Sequence, residues 1–130
     1  MRILLDTQIA IWALTDTKRL GERARKLIAD EANDVFVSAV SVWEIAIKFA
    51  LTKRTGAPPF SGAVARDAFR AAGYRLLNVT PEHAAGIDGL PPLHADPFDR
   101  MLISQALQEP LRLLTADKTL AGYGAAVIVA

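Results

Sequence analysis

The chain has 130 residues, fifteen Lys plus Arg against fourteen Asp plus Glu for a net charge of +1, 52% hydrophobic residues and no cysteine. One domain spanning 1–130 fits that length, and the apolar content suffices for a core, which excludes an intrinsically disordered chain. The balanced charge demands neither a nucleic-acid nor a membrane partner, and the lack of Cys excludes a disulfide framework, a thiolate zinc site and a cysteine nucleophile.

Ile3 to Leu5 is a short apolar run followed by Asp6-Thr7, the pattern of a strand buried on both faces that turns into a helix. Thr7 to Leu14 reads as that helix, and Leu20, Ala24, Leu27 and Ile28 recur at helical spacing to give a second, amphipathic one. Val35-Phe36-Val37 predicts the second strand and Val42 to Thr52 the third helix. Gly56, Pro58, Pro59 and Gly62 mark a loop over 55–62. Ala63 to Ala72 is predicted helical with Gly73 as its C-cap, and Tyr74 to Val79 is the third strand.

A helix starts at Pro81 and continues through Leu90, where Pro91-Pro92 stops it. Asp96-Pro97 opens another through Gln108. Leu111 to Leu114 is the fourth strand, Asp117 to Tyr123 a short helix and Ala126 to Val129 a terminal strand. Strands alternating with helices predict an α/β sandwich with a mainly parallel sheet, whose binding site lies at the carboxyl ends of the strands. No secretion signal opens the chain and no apolar run reaches membrane-spanning length, so a soluble cytoplasmic protein is the expectation.

Four carboxylates fall at matching places in this scheme. Asp6 ends the first strand, Glu44 lies in the first turn of the helix after the second, Asp99 in the first turn of the helix after the 91–96 loop, and Asp117 just after the fourth strand. Each has a bland reading, because acids are favoured at helix N-termini. Ser41-x-x-Glu44 has capping-box spacing, Asp96 before Pro97 looks like an N-cap with Asp99 at N3, and Asp117 suits the cap of the helix through Leu120. Two points favour a joint role. Asp99 precedes Leu102, Ile103 and Ala106 on the buried stripe of its helix, and the predicted fold gathers all four acids in one cleft, where repulsion raises some pKa values unless a cation binds. Oxygen ligands without Cys, and with His83 and His94 as the only histidines, suit Mg²⁺ or Mn²⁺ better than zinc. Such a site does the work of a hydrolytic nuclease.

At these residues the sequence resembles a PIN domain, specifically the VapC-type toxin ribonucleases of bacterial toxin-antitoxin pairs. The segments that carry the resemblance are Leu4-Leu5-Asp6-Thr7 with Trp12, Ser38-x-x-Ser41-x-Trp43-Glu44-Ile45, His94-x-Asp96-Pro97-Phe98-Asp99-Arg100-Met101-Leu102-Ile103 with Gln105-Ala106, and Leu114-Thr115-Ala116-Asp117. The resemblance implies a PIN-like three-layer sandwich and a metal-dependent endoribonuclease acting on RNA such as tRNA or rRNA, usually a homodimer, inhibited by a VapB-like antitoxin. Asp6, Asp99 and Asp117 would then bind Mg²⁺ or Mn²⁺, and Glu44 would be a further ligand or help activate water. Asp96 is either the N-cap alone or part of the metal's outer shell. Thr7 and Thr115 would orient carboxylates or water, or serve as caps. Gln8 departs from the family pattern, where His or Asn is common.

The stripes Arg19, Arg23, Lys26 and Arg66, Arg70 read as solvated helix faces or phosphate contacts, whereas Arg100 and Lys118 adjoin proposed ligands and would lie near a scissile phosphate or pair with an acid. His94 reads as a structural loop histidine or an RNA contact, and nothing singles out His83. The 42–52 helix has more apolar surface than one core contact needs, so part of it, with Trp12, is expected to meet a dimer mate or an antitoxin helix. The rival to the nuclease is a catalytically silent PIN module that only binds RNA or protein, and loss of an acid would favour it. A receiver-like phospho-acceptor and an Asp-x-Asp phosphatase both fail at Thr7-Gln8.

Overall fold

Ile3, Leu4 and Leu5 alternate between the two faces of a strand and are all fully buried, so β1 (Arg2–Leu5) has to lie inside a sheet covered on both sides. The computed structural model, which describes residues 1–51 and 56–130, places it there. β2 (Asp34–Ser38), β3 (Arg75–Leu77), β4 (Arg112–Thr115) and β5 (Val127–Val129) complete a sheet of order β3-β2-β1-β4-β5 in which every pair is parallel.

Helices cover both faces and make the predicted three layers. Ile3 and Leu5 meet Ile9 and Ala10 of α1 (Thr7–Thr15), Ala24 of α2 (Glu22–Ala29), Ile45 of α3 (Ala39–Ala50) and Phe69 of α4 (Gly62–Ala71). Leu4 and Phe36 meet Leu102, Ile103 and Ala106 of α6 (Pro97–Gln108) on the other face. The chain moves outward from β1 through β2 to β3, then returns past β1 to β4. That reversal makes the carboxyl ends of β1 and β4 a topological switch point, where a parallel sheet opens a crevice. No helix among the described residues is long and apolar enough to cross a membrane.

Several local expectations shift. α3 begins at Ala39, three residues earlier than the sequence pattern implies, because Ser38 at the end of β2 accepts the Val40 N–H at 3.0 Å and starts the helix directly. Ser41 is therefore buried within the helix, and Glu44 sits in its second turn. The capping-box reading of Ser41 and Glu44 is wrong for that reason. The far end of that helix, Thr52, lies outside the described residues, as does Thr55 at the start of the expected loop.

The 81–90 helix is shorter than expected: α5 (Pro81–Ala85) gives way to a 3₁₀ segment over Gly86–Gly89. Ser104 and Gln108 press on Gly86 so closely that a Cβ there would lie 2.6 Å from Ser104 Oγ. The Lys118–Tyr123 segment is likewise 3₁₀. Gly73, at φ +85°, follows α4 as expected and returns its N–H to Arg70. His83 is structural. It completes a capping box with Thr80 and places Nε2 2.6 Å from Glu109 Oε2, tying α5 to the end of α6.

α3 and α4 cross at very short range. A Cβ on Gly62 would lie 2.7 Å from Ala46 Cβ, a contact that neither backbone can relieve by rotating a side chain. Gly62→Ala should therefore cost about 1–3 kcal/mol through overpacking. A drop in the urea midpoint at unchanged slope is the expected outcome, and wild-type stability would show that the helices separate freely.

Candidate active site

Asp6 follows the fully buried end of β1, and its backbone N–H continues the pairing with β4 by donating to Leu114 at 3.0 Å. Its side chain does two jobs. Oδ1 caps α1 by accepting the Ile9 N–H at 2.8 Å, and Oδ2 accepts the Thr115 hydroxyl from the neighbouring strand. Thr115 Oγ1 in turn accepts the Asp117 N–H at 3.0 Å, so one hydroxyl links the acids that follow β1 and β4.

Glu44 enters the same crevice from α3. Thr7 Oγ1 lies 2.7 Å from its Oε1 and 2.9 Å from Ser41 Oγ, while Lys48, one turn on, pairs with Oε2. Asp99 is at N3 of α6, where Asp96 is the N-cap and accepts the N–H groups of Phe98 and Asp99 at 2.8 and 3.1 Å. Asp117 caps the last 3₁₀ turn through Thr119. The bland capping reading thus holds for Asp6, Asp96 and Asp117, and clustering holds as well, because a capping carboxylate needs only one oxygen.

Electrostatics tie the group together. Burial pushes the Asp6 carboxyl up from an ordinary 3.8 to about 6, opposed by the Thr115 and Ile9 hydrogen bonds and reinforced by the charges of Asp99 and Glu44. Burial also raises Asp99, with the Asp96 and Glu44 charges adding to it and the contact to His94 acting the other way. Asp117 is more exposed, and its hydrogen bonds from Thr119 hold it below the usual range. A crowded, partly desolvated set of carboxylates that resists full ionisation is the chemistry of a hard divalent-cation site.

His94 is the member that sequence reasoning did not place in the cluster. Its Nε2 stands 2.9 Å from Asp99 Oδ2 and 3.9 Å from Asp117 Oδ2, and each of the three residues offers a ligand atom within 4.8 Å of the others. Its position two residues before the Asp96-Pro97 cap was the available signal, since a loop that ends at the N-terminus of α6 has to pass the mouth of the crevice. Lys48 lies one turn after Glu44 on the same helix face, the spacing at which the two side chains meet. Arg100 turns away from the acids and reaches the backbone carbonyls of Ile87, Pro91 and His94 at 3.3–3.4 Å, so it secures the loop. Lys118 is exposed. Arg19, Lys26 and Arg66 pair with Asp16, Glu22 and Asp67, as solvated helix faces do.

The PIN domain family model matches residues 3–125, which takes in every acid of the crevice. The chain belongs to the PIN-domain family. Among curated proteins this PIN domain is similar to ribonuclease VapC22 of Mycobacterium tuberculosis, 29% identical over 122 residues that cover 93% of this chain and 91% of that one. Solved structures share the fold. VapBC2 from Rickettsia felis, bound to a promoter DNA fragment, superposes with a TM-score of 0.64 at 15% identity, covering 100% of this chain and 98% of that one. FitAcB from Neisseria gonorrhoeae gives 0.62 at 22% identity, covering 97% and 96%.

The raised Asp6 has a consequence for stability. Its folded carboxyl holds a proton more tightly than the unfolded one, so the stabilisation present below about pH 4 is lost as pH rises through about 6. The span from 3.8 to about 6 corresponds to about 3 kcal/mol. In EDTA-treated PIN domain, Asp6→Asn should raise the unfolding free energy from urea titration at pH 8, by up to that amount, and leave it nearly unchanged at pH 4. An equal effect at both pH values would show that Asp6 carries no desolvation strain.

Proposed function

We propose that residues 1–130 form a single PIN domain acting as a metal-dependent endoribonuclease, the toxin of a toxin-antitoxin pair in the cytoplasm. The observation that carries this reading is the convergence of Asp6, Glu44, Asp99 and Asp117 on the switch-point crevice, with burial raising the Asp6 and Asp99 carboxyls from their ordinary value. The ribonuclease name of the VapC22 relative supports the activity.

Asp6, Asp99 and Asp117 would hold Mg²⁺ or Mn²⁺. Such an ion supplies Lewis-acid polarisation of a phosphodiester and a bound water of lowered pKa. The chain's own residues do the rest. Thr115 fixes the Asp6 rotamer across the β1–β4 pair, which sets the deep wall of the crevice. Glu44 has one oxygen engaged by Thr7 and the other by Lys48, an arrangement that holds it beside the metal-binding acids to orient the attacking water and take its proton. Asp96 holds the first turn of α6, and through it Asp99, in place.

Purified protein should cut a mixed tRNA and rRNA pool with Mg²⁺ or Mn²⁺ and stop in EDTA. Asp6→Ala and Asp99→Ala should abolish cutting in folded protein, a loss of at least roughly a hundredfold, while Asp117→Asn and Glu44→Gln should slow it. Undiminished cutting by a folded Asp6→Ala, Asp99→Ala double variant would overturn the assignment, and binding of RNA without cutting by the wild type would favour the silent module.

Two surfaces support partners. Trp43, Ile47 and Leu51 form an exposed apolar stripe along α3, and Phe98 meets Trp43 edge-on at 5.2 Å. Such a stripe is self-complementary and suits a second copy of the chain across a two-fold axis. Trp12 lies elsewhere, in a mixed groove of about 250 Å³ with Gln8, Asp16, Arg19 and Pro58, which suits a segment of a VapB-like antitoxin. The structural neighbours, VapBC2 and FitAcB among them, support that partner. Ile47→Asp should convert a dimer to a monomer in light scattering and keep antitoxin binding. A dimer that persists would exclude the α3 stripe.

A further inference from the structure

Between α3 and the start of α6 lies a groove of about 350 Å³, the size of a small-ligand site. Val40, Ile87 and Met101 give it an aliphatic lining, and Trp43 and Phe98 an aromatic one. Trp43 is 58% exposed, so much of its ring is left uncovered. No acid lines this groove, and Arg100 is its one charged lining residue. That guanidinium is held in place: Nη1 donates to the Pro91 and His94 carbonyls and Nη2 to the Ile87 carbonyl. An arginine has five N–H groups, so two of them, one on Nε and one on Nη2, have no acceptor among the described residues. The groove adjoins the crevice along both helices, because Trp43 directly precedes Glu44 and Phe98 directly precedes Asp99.

We propose that this groove binds an unpaired base of the RNA substrate, stacked on Trp43 and held at its edge by Arg100, beside the phosphodiester that the acids address. The inference rests on the nuclease reading of the crevice and adds how the substrate is recognised. A base has apolar faces and a polar rim, and the groove offers an aromatic surface together with a fixed pair of donors. An aliphatic side chain from a protein partner would fill the apolar part but leave both N–H groups unpaired and cut off from water, a cost that a base avoids. Two donors on one guanidinium match the adjacent O6 and N7 acceptors of guanine. A base inside a duplex cannot reach Trp43, so the site selects single-stranded RNA, with guanine the preferred occupant. Trp43, Ile47 and Leu51 lie on successive turns of α3, so contact with a second copy through the latter two falls farther along the helix than the groove.

The test titrates Mg²⁺-loaded protein with guanosine 5′-monophosphate, uridine 5′-monophosphate and, as the probe without a base, ribose 5-phosphate, each to millimolar concentration. The readout is the indole N–H signals of Trp12 and Trp43 in nuclear magnetic resonance, told apart by the signal that Trp43→Leu loses. Guanosine monophosphate should move the Trp43 signal and leave Trp12 in place, uridine monophosphate should bind more weakly, and ribose 5-phosphate should leave both signals still. Trp43→Leu should lose at least roughly tenfold in affinity for guanosine monophosphate, the scale of one lost base stack, and change by less than about twofold toward ribose 5-phosphate. A Trp43 signal that no nucleotide moves would overturn the inference, and equal binding of the two nucleotides would overturn the Arg100 contact. A response seen in the Ile47→Asp monomer but not in the wild type would show that a second copy fills the groove, which also overturns it. A moving Trp43 signal in protein that cuts no RNA would remove the nuclease and leave the base site standing. The wild-type titration decides the matter even if Trp43→Leu fails to fold.

Discussion

An acid placed at the end of a strand with little access to water is the constraint on which this molecule turns. Ile3, Leu4 and Leu5 are fully buried, and the next residue is Asp6. The strand cannot shift to expose it, since β2 and β4 pair with β1 on both edges and helices cover both faces. Protein dipoles therefore have to replace water. The first turn of α1 supplies an N–H and Thr115 supplies a hydroxyl, yet burial still prevails and the carboxyl stays near 6.

The same economy explains why capping and clustering coincide. The N-termini of α1 and α6 both point into the crevice, where their free N–H groups and dipoles favour negative charge. One oxygen of a capping acid settles the helix end and the rotamer is fixed; the second takes the Thr115 hydroxyl at Asp6 and stands 3.9 Å from His94 at Asp117. A carboxylate held that way loses little freedom when it takes a ligand, which is the sense in which the site is prepared for a cation. Glu44 differs, lying in the second turn of its helix. It needs the separate support of Thr7 and Lys48, and it is buried only because Ser38 starts α3 early.

That difference also marks what the sequence could and could not tell. The doubly buried β1, the alternation of strands and helices, and the places of Asp6, Asp99 and Asp117 follow from apolar runs and turn residues, which are local properties. The start of α3 did not follow, because Ser38 and Ser41 are both competent caps and only the length of β2 decides between them. The early end of α5 depends on Gly86 pressing against Ser104 and Gln108, a contact across 18 and 22 positions that no window of sequence contains. His94 stayed hidden for a related reason: Asp99 is five residues away, but Asp117 and Thr119 lie beyond the whole of α6 and β4. Residues that act through one local hydrogen bond were legible, and those that act across the fold were not.

The two walls of the crevice differ in how they are held. Asp6 and Thr115 stand on adjacent paired strands, so their separation is set by the sheet register and cannot change without unpicking the core. Asp99, His94 and Asp117 stand on the N-terminus of a helix and on two loops, tied by side-chain bonds from Arg100, Tyr123 and Thr119. Arg100 is the cation beside the Asp96-Pro97-Phe98-Asp99 segment, yet its hydrogen bonds go to loop carbonyls, which makes it a determinant of where His94 sits. A change in the 91–96 loop can thus move His94 relative to the acids while the strand wall stays fixed. The strand wall fixes where Asp6 stands, and the loop wall fixes where Asp99, His94 and Asp117 stand relative to it.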